Sequence, residues 1–233
     1  MTIVQPKPQE WILDRIRPFH KVAVLGCGTC ATVCFAGGER EVEELCCSLQ
    51  LALRDSDPAV ELIGLTCKRV CDGEFLDPIL ETLRGADAVL SLACGAGSNL
   101  LAEKLEGVPI LPGVDTTFLG ANAGPDQWNE MCAGCGDCII DQTFGICPIA
   151  RCAKSLLNGP CGGSKAGHCE INPEIECAWA RIVERAQAAG KLADLERIAV
   201  PKNWAKARDG GQRRLKRSDL GLRTICTEDL DES

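Results

Sequence analysis

Residues 21–34 read KVAVLGCGTCATVC, a β-branched apolar run that stops at a glycine and gives way to three cysteines. An apolar run of this length bounded by turn residues reads as a strand. VELIGLT (60–66), DAVLSLA (87–93) and VPILPG (108–113) repeat the pattern. Between the first two lies GGEREVEELCCSLQLALRD, with Val42, Leu45, Cys46, Leu49 and Leu53 at helical spacing and acidic residues on the other face. That segment is an amphipathic helix. EFLDPILETLRG and GSNLLAEKLEG supply two more crossovers. Strands alternating with helices imply a parallel sheet covered on both faces, a small doubly wound α/β domain.

The cysteines are placed by that sheet. Cys27 follows the first strand, Cys67 the second and Cys94 the third, with Cys30 and Cys34 in the first loop and Cys71 in the second. Loops at the carboxyl edge of a parallel sheet converge, and ligands of doubly wound proteins bind there. Six thiols at one edge exceed the four that an iron–sulfur cluster needs. Spacing favours Cys30, Cys34, Cys71 and Cys94 as ligands, with Cys27 next and Cys67 last. Cys46 and Cys47 lie within the helix and read as small buried hydrophobes. A competing reading of GCGTCA (26–31) is the G-x-G-x-x-A fingerprint of dinucleotide binding, with Asp55 or Asp57 as the ribose-binding acid. Three cysteines crowd the place where backbone amides would meet a pyrophosphate, which favours a loop wrapped around metal.

The cysteines fall into two groups, with none from Gly95 to Met131. The gap ends in GANAGPDQWNE, whose Gly, Asn and Pro read as a connection between domains. The expected organisation is an α/β domain over 1–125, a cysteine-rich, loop-dominated metal-binding domain with a terminal helix over 126–200, and a basic, then acidic, tail over 201–233.

Within the second group Cys132, Cys135, Cys138, Cys147, Cys152, Cys161, Cys169 and Cys177 make two four-thiol sets within 46 residues. Cys132, Cys135 and Cys138 reproduce the C-x2-C-x2-C opening of bacterial ferredoxins, and Cys147 precedes Pro148 as in their closing C-P step. The interval before that step is longer here than in ferredoxins. Zinc is the main alternative, because four cysteines also hold it tetrahedrally. Paired C-x2-C knuckles are absent, so iron–sulfur is favoured for at least one site and the other set stays open to zinc. His168 reads as a surface turn residue, and His20 has no assigned role. EIECAWARIVERAQAAGKLADLERI is expected to be helical, with Ile175, Trp179, Ile182 and Val183 on one packed stripe.

Composition narrows the function classes. The chain has 233 residues and 17 cysteines, and a chain of this length buries about 70% of its unfolded surface without needing disulfides. No signal-like or membrane-spanning apolar stretch is evident, so a cytoplasmic protein is expected, where thiols stay reduced and serve metals or redox chemistry. A net charge of -8 argues against nucleic-acid binding. Lys202, Lys206, Arg208, Arg213, Arg214, Lys216 and Arg217 nevertheless cluster near the end, as either a docking tail for an acidic partner or a solvated segment.

TFGICPIARCAKSLLNGPCGGSKAGHCEINPEIECAW (143–179) resembles the C-terminal domain family of methylenetetrahydrofolate reductases, in its ICP-x-x-RC and LLNGPCGG stretches and closing C-x-W. GCGTCATVCFAGGEREVEEL and ADAVLSLACGAGSNLL are similar to the amino-terminal half of that family's stand-alone iron–sulfur small subunits. Phe144 stands where a glycine is common, and Ala153 where a proline is common. The resemblance implies an accessory subunit with two or three 4Fe–4S clusters and one four-cysteine site open to zinc. It further implies a TIM-barrel partner that carries FMN, forms methyltetrahydrofolate and receives electrons from a ferredoxin or similar iron–sulfur donor. No catalytic constellation is evident in this chain. Two alternatives remain: a metal-stapled scaffold that orients the partner without carrying electrons, and a nucleotide-binding oxidoreductase module.

Overall fold

A computed structural model describes residues 1–54, 59–207, 211–215, 217 and 219 of the chain. The apolar run at 21–27 is the centre of the fold. Thr2–Pro6 (β1) and Gln9–Ile16 (α1) precede it, and Lys21–Cys27 (β2) is buried at every position after Lys21. Cys30–Val33 (α2) is a single turn, followed by Glu39–Ala52 (α3), Glu61–Cys67 (β3), Gly73–Leu76 (α4), Leu80–Arg84 (α5) and Ala88–Ser91 (β4). Gly95–Lys104 (α6) and Ile110–Pro112 (β5) complete a four-stranded parallel sheet of order β3-β2-β4-β5.

β2 lies between two parallel neighbours, so both of its faces are covered and its sequence is apolar without alternation. Val22, Val24 and Leu25 have no solvent exposure. The chain leaves β2 toward β3 and returns past it to β4, and right-handed crossovers in opposite directions put α3 and α5 on opposite faces. α3 turns Val42 and Leu49 into the core, with Leu45 and Cys46 packed beside them. Its first turn is closed by the Glu41 carboxylate, which accepts from the Gly38 amide at 2.8 Å. Cys46 is half-buried as expected, but Cys47 is exposed, because the residue next to an apolar helical position faces about 100° away.

The stretch read as a connection between domains is instead a hairpin. Val114–Gly124 (β6) pairs antiparallel with both β1 and Gln127–Cys132 (β7), making a second sheet of order β1-β6-β7. Its Gly and Asn residues build the turn: the Asn122 side-chain oxygen accepts from the Gly124 amide at 3.2 Å. Ile3, Val4 and Val114 join the core of the parallel sheet, and Phe118 and Trp128 pack against it. The hairpin thus carries the chain from the α/β layer directly to Cys132.

Beyond Cys132 the described backbone is mostly loop, apart from the one-turn Pro148–Arg151 (α7), Ala178–Ala188 (α8) and short 3-10 turns at Leu192–Glu196 and Trp204–Lys206. Ile146, Cys177, Ala178, Trp179 and Ile182 form a small separate core. α8 is shorter than expected at both ends. Cys177 caps its start, leaving Ile175 outside the helix and 39% exposed, so the expected stripe loses that member. Gly190 ends it in the left-handed region at φ 67°, a conformation glycine adopts without strain. Among the described residues no helix is long and apolar enough to cross a membrane.

Candidate metal centre

Register brings the first thiols together. Cys27 and Cys67 end adjacent strands as direct partners, and the Gly28 amide donates to the Cys67 carbonyl at 2.9 Å. Cys94 immediately precedes α6, beyond the strand on the other side of β2. The strand order reverses at β2, so Cys27 and Cys94 flank the crevice where doubly wound folds bind ligands. Cys71 enters from the next loop. It is exposed as a residue, yet partial burial of its sulfur, then the Cys94 and Cys27 thiols, pushes its pKa up.

Cys30 and Cys34 turn elsewhere. They open and close the single turn α2, which packs near β1, and the Cys34 thiol points at the Thr2 carbonyl oxygen, 3.8 Å away. Burial, with a contribution from Cys30, raises the Cys34 pKa. Of the four cysteines that spacing favoured, the structure groups Cys71 and Cys94 with Cys27 and leaves Cys30 and Cys34 as a separate pair. Cys67 is buried, and its thiol donates to the Phe75 carbonyl at 3.2 Å. Gly26 meets the helix face: a Cβ there would lie 2.6 Å from a Val42 methyl. Close helix–strand packing therefore accounts for this glycine, and Asp55 and Asp57 lie outside the described residues.

The second group is built on loops. Cys132 ends β7, and its sulfur accepts from the Gly134 amide at 3.3 Å; the Cys161 sulfur accepts from Gly163 at 3.4 Å. These two Cys-x-Gly turns share one contact, a backbone N–H aimed at sulfur from two residues on. Such a donor is the type of contact that tunes a ligated sulfur. Cys135 points at the Asp137 carbonyl oxygen at 3.7 Å, and Cys138 is exposed. Cys147 caps α7 and Cys152 follows it against the small core, while the Cys177 amide donates to the Gly167 carbonyl at 2.7 Å. Cys169 bonds through its amide to the Ile175 carbonyl at 3.1 Å. His168 is exposed in a tight turn with Lys165, and His20 is exposed beside the first sheet.

Charge is organised around Cys161. Lys154 pairs with Glu170, whose carboxylate accepts from the Cys161 thiol at 3.6 Å. The Glu170 partner first, and the Cys161 and Cys169 thiols after it, hold the Lys154 ammonium above its ordinary pKa.

Sequence reasoning missed the partners of the 132–138 loop. Lys202 pairs with the Asp137 carboxylate and also donates to its carbonyl oxygen; its side chain is only 2% exposed. Lys206 reaches the same carboxylate at 3.2 Å. Arg213 donates to the Gly134 carbonyl at 3.1 Å and to that of Lys206 at 2.8 Å. Part of the basic segment is therefore folded onto this chain's own cysteine loop; Arg208 and Lys216 lie outside the described residues. The available signal was Asp137, the sole acid inside the C-x2-C-x2-C run, ahead of a basic block in an acidic chain.

Among the described residues no three His, Cys, Asp or Glu side chains converge at metal-binding distance. The donor set nevertheless fits a thiolate-bound metal: eight cysteines, two of them already served by amide donors. Closing loop-borne thiols around an ion is the behaviour of sites whose binding energy is also folding energy.

Residues 111–205 match a protein-family model described as "Methylene-tetrahydrofolate reductase C terminal", the family indicated by the 143–179 stretch. The matched segment contains all eight cysteines of the second group and Lys202. The parallel sheet before β5 lies outside it. Comparison with curated proteins gave no match, and comparison with solved structures gave none.

Proposed function

We propose, from the membership of residues 111–205 in the methylene-tetrahydrofolate reductase C-terminal family, that this chain is a cytoplasmic iron–sulfur accessory subunit of such a reductase. Its partner is a flavin-bearing barrel subunit, on which the folate chemistry takes place, and its electrons come from a ferredoxin-like donor. The observation that carries the reading is the pair of Cys-x-Gly turns at Cys132 and Cys161, each with an amide donating to sulfur, inside the matched segment.

The eight cysteines from Cys132 to Cys177 hold the metals of the second part, with Gly134 and Gly163 supplying amide dipoles to two of the sulfurs. A 4Fe–4S cluster bound there would supply one-electron redox capacity. In the first part, Cys27, Cys71 and Cys94 are the core of a further site at the sheet edge, and Cys30 and Cys34 are its more distant candidates.

The test is to mix the purified chain with its barrel subunit and follow flavin reduction by a low-potential donor. The complex should be reduced faster than the isolated barrel, and metal-depleted chain that still docks should lose the advantage. An equal rate with docked, metal-depleted chain rejects electron relay.

That second outcome favours a scaffold, and one observation already points that way. Among the described residues, five buried residues with a few partly buried neighbours make the core that holds the loops beyond Cys132, so metal ligation would staple a segment with little apolar burial of its own. Zinc at one four-cysteine site serves that role without redox change.

A further inference from the structure

We propose that Lys202, Lys206 and Arg213 form a basic strap over the cysteine loop 132–138, and that Lys202 is the positioning residue that holds Asp137, and through it Cys135, in place within the loop. The inference rests on the loop being a metal site, as proposed above, and adds what shapes it.

Three basic side chains meet the seven-residue loop. Lys202 takes both the carbonyl and the carboxylate of Asp137. The Cys135 thiol is directed at that same carbonyl oxygen, so one peptide unit links the ammonium to the sulfur. At Gly136, in the left-handed region at φ 78°, a Cβ would stand 2.2 Å from the Lys206 carbonyl oxygen, so the strap backbone lies directly on the loop backbone. Arg213 ties the far side by bonding Gly134 and Lys206 together.

The arrangement answers a physical need. With metal bound, three ligating sulfurs and one carboxylate within seven residues would repel one another, and no residue of the loop after Cys132 lies in a helix or strand. Fixed cations at its back reduce that repulsion without occupying the sulfurs. The three side chains are not equivalent. Lys206 makes the closer approach to the Asp137 carboxylate, but its side chain is 52% exposed and feels bulk salt, whereas Lys202 is almost wholly buried and also bonds the Asp137 carbonyl.

The full-length chain and its Lys202→Met, Lys202→Arg and Lys206→Met variants test this. Metal-free protein is treated with iodoacetamide, and labelling of each cysteine is followed by mass spectrometry. Cys135 labelling should quicken in Lys202→Met, less so in Lys206→Met, and return toward the parental rate in Lys202→Arg. Cys161, on the other loop, should be unaffected, which separates loop positioning from general unfolding. The same proteins are then reconstituted anaerobically with ferrous iron and sulfide, and iron release to a chelator is timed. Lys202→Met should lose loop-bound iron faster by roughly tenfold to a hundredfold, the range found for contacts that orient metal ligands. Unchanged Cys135 labelling and unchanged iron release in Lys202→Met would overturn the strap. Failure of the parental chain to take up metal instead rejects the metal reading, while the labelling pattern still decides whether Lys202 positions the loop.

Discussion

Gly159 lies flat against the indole of Trp179: a Cβ built on it would stand 2.4 Å from the ring atoms Cδ2 and Cε2. The ring cannot yield easily. It is 4% exposed, and its Nε1 donates to the Leu156 carbonyl at 3.0 Å. Gly159→Ala should therefore destabilise the second part of the chain by about 1–3 kcal/mol, the usual cost of overpacking a filled site. A shifted denaturant midpoint at unchanged slope checks it, and an unchanged midpoint would show that the ring has room.

At the sheet edge, the grouping of thiols makes a ranked expectation. Substituting Ser for Cys27, Cys71 or Cys94 should reduce iron bound by the anaerobically reconstituted chain more than the same change at Cys30 or Cys34. Iron analysis of the five variants decides it. Equal losses throughout would mean that metal rearranges the first loop to bring Cys30 and Cys34 in.

The C-terminal sites should couple metal to folding. Cys135→Ser or Cys161→Ser is expected to lower metal content and thermal stability together. Metal content by elemental analysis and melting by circular dichroism are compared in one preparation. Full metal content with an unchanged melting curve in both variants would remove these two cysteines from the ligand set.

Cys46 gives a pH-dependent expectation away from any proposed ligand. Burial, with a smaller contribution from Cys47, raises its pKa above the ordinary thiol value. A raised folded-state pKa means stability that is fully present below the ordinary value, about 8.5, and lost as pH rises through the folded value. Cys46→Ala should flatten the alkaline decline in stability relative to the parent chain. At pH near 8.5, Cys47 should also be alkylated before Cys46. Faster labelling of Cys46 would contradict the packing of α3.

How far the sequence reveals this molecule depends on how local the determining interactions are. β2 is legible because a strand covered on both faces needs an unbroken apolar run, and 21–27 supplies one. The hairpin over 114–132 is not, because its Gly, Asn and Pro serve a tight turn as well as they would a linker. Spacing put Cys30 and Cys34 at the same edge as Cys27, Cys71 and Cys94, and could not say that α2 would carry the first two toward β1. Phe144 has φ 52°, a left-handed conformation that suits glycine, which explains why a glycine is common there in the family it resembles. The Lys202–Asp137 contact spans 65 residues of chain and leaves no periodic trace.

Redox-active iron held by these thiols is what the proposed function requires. The most direct measurement is anaerobic purification of the full chain, followed on one sample by iron, sulfide and zinc analysis and a reductive titration monitored by electron paramagnetic resonance. The account predicts iron and sulfide bound in comparable amounts, with a paramagnetic signal that grows as the sample is reduced and is lost with the metal. Zinc alone, or a metal-free folded chain without any reducible signal, would contradict it.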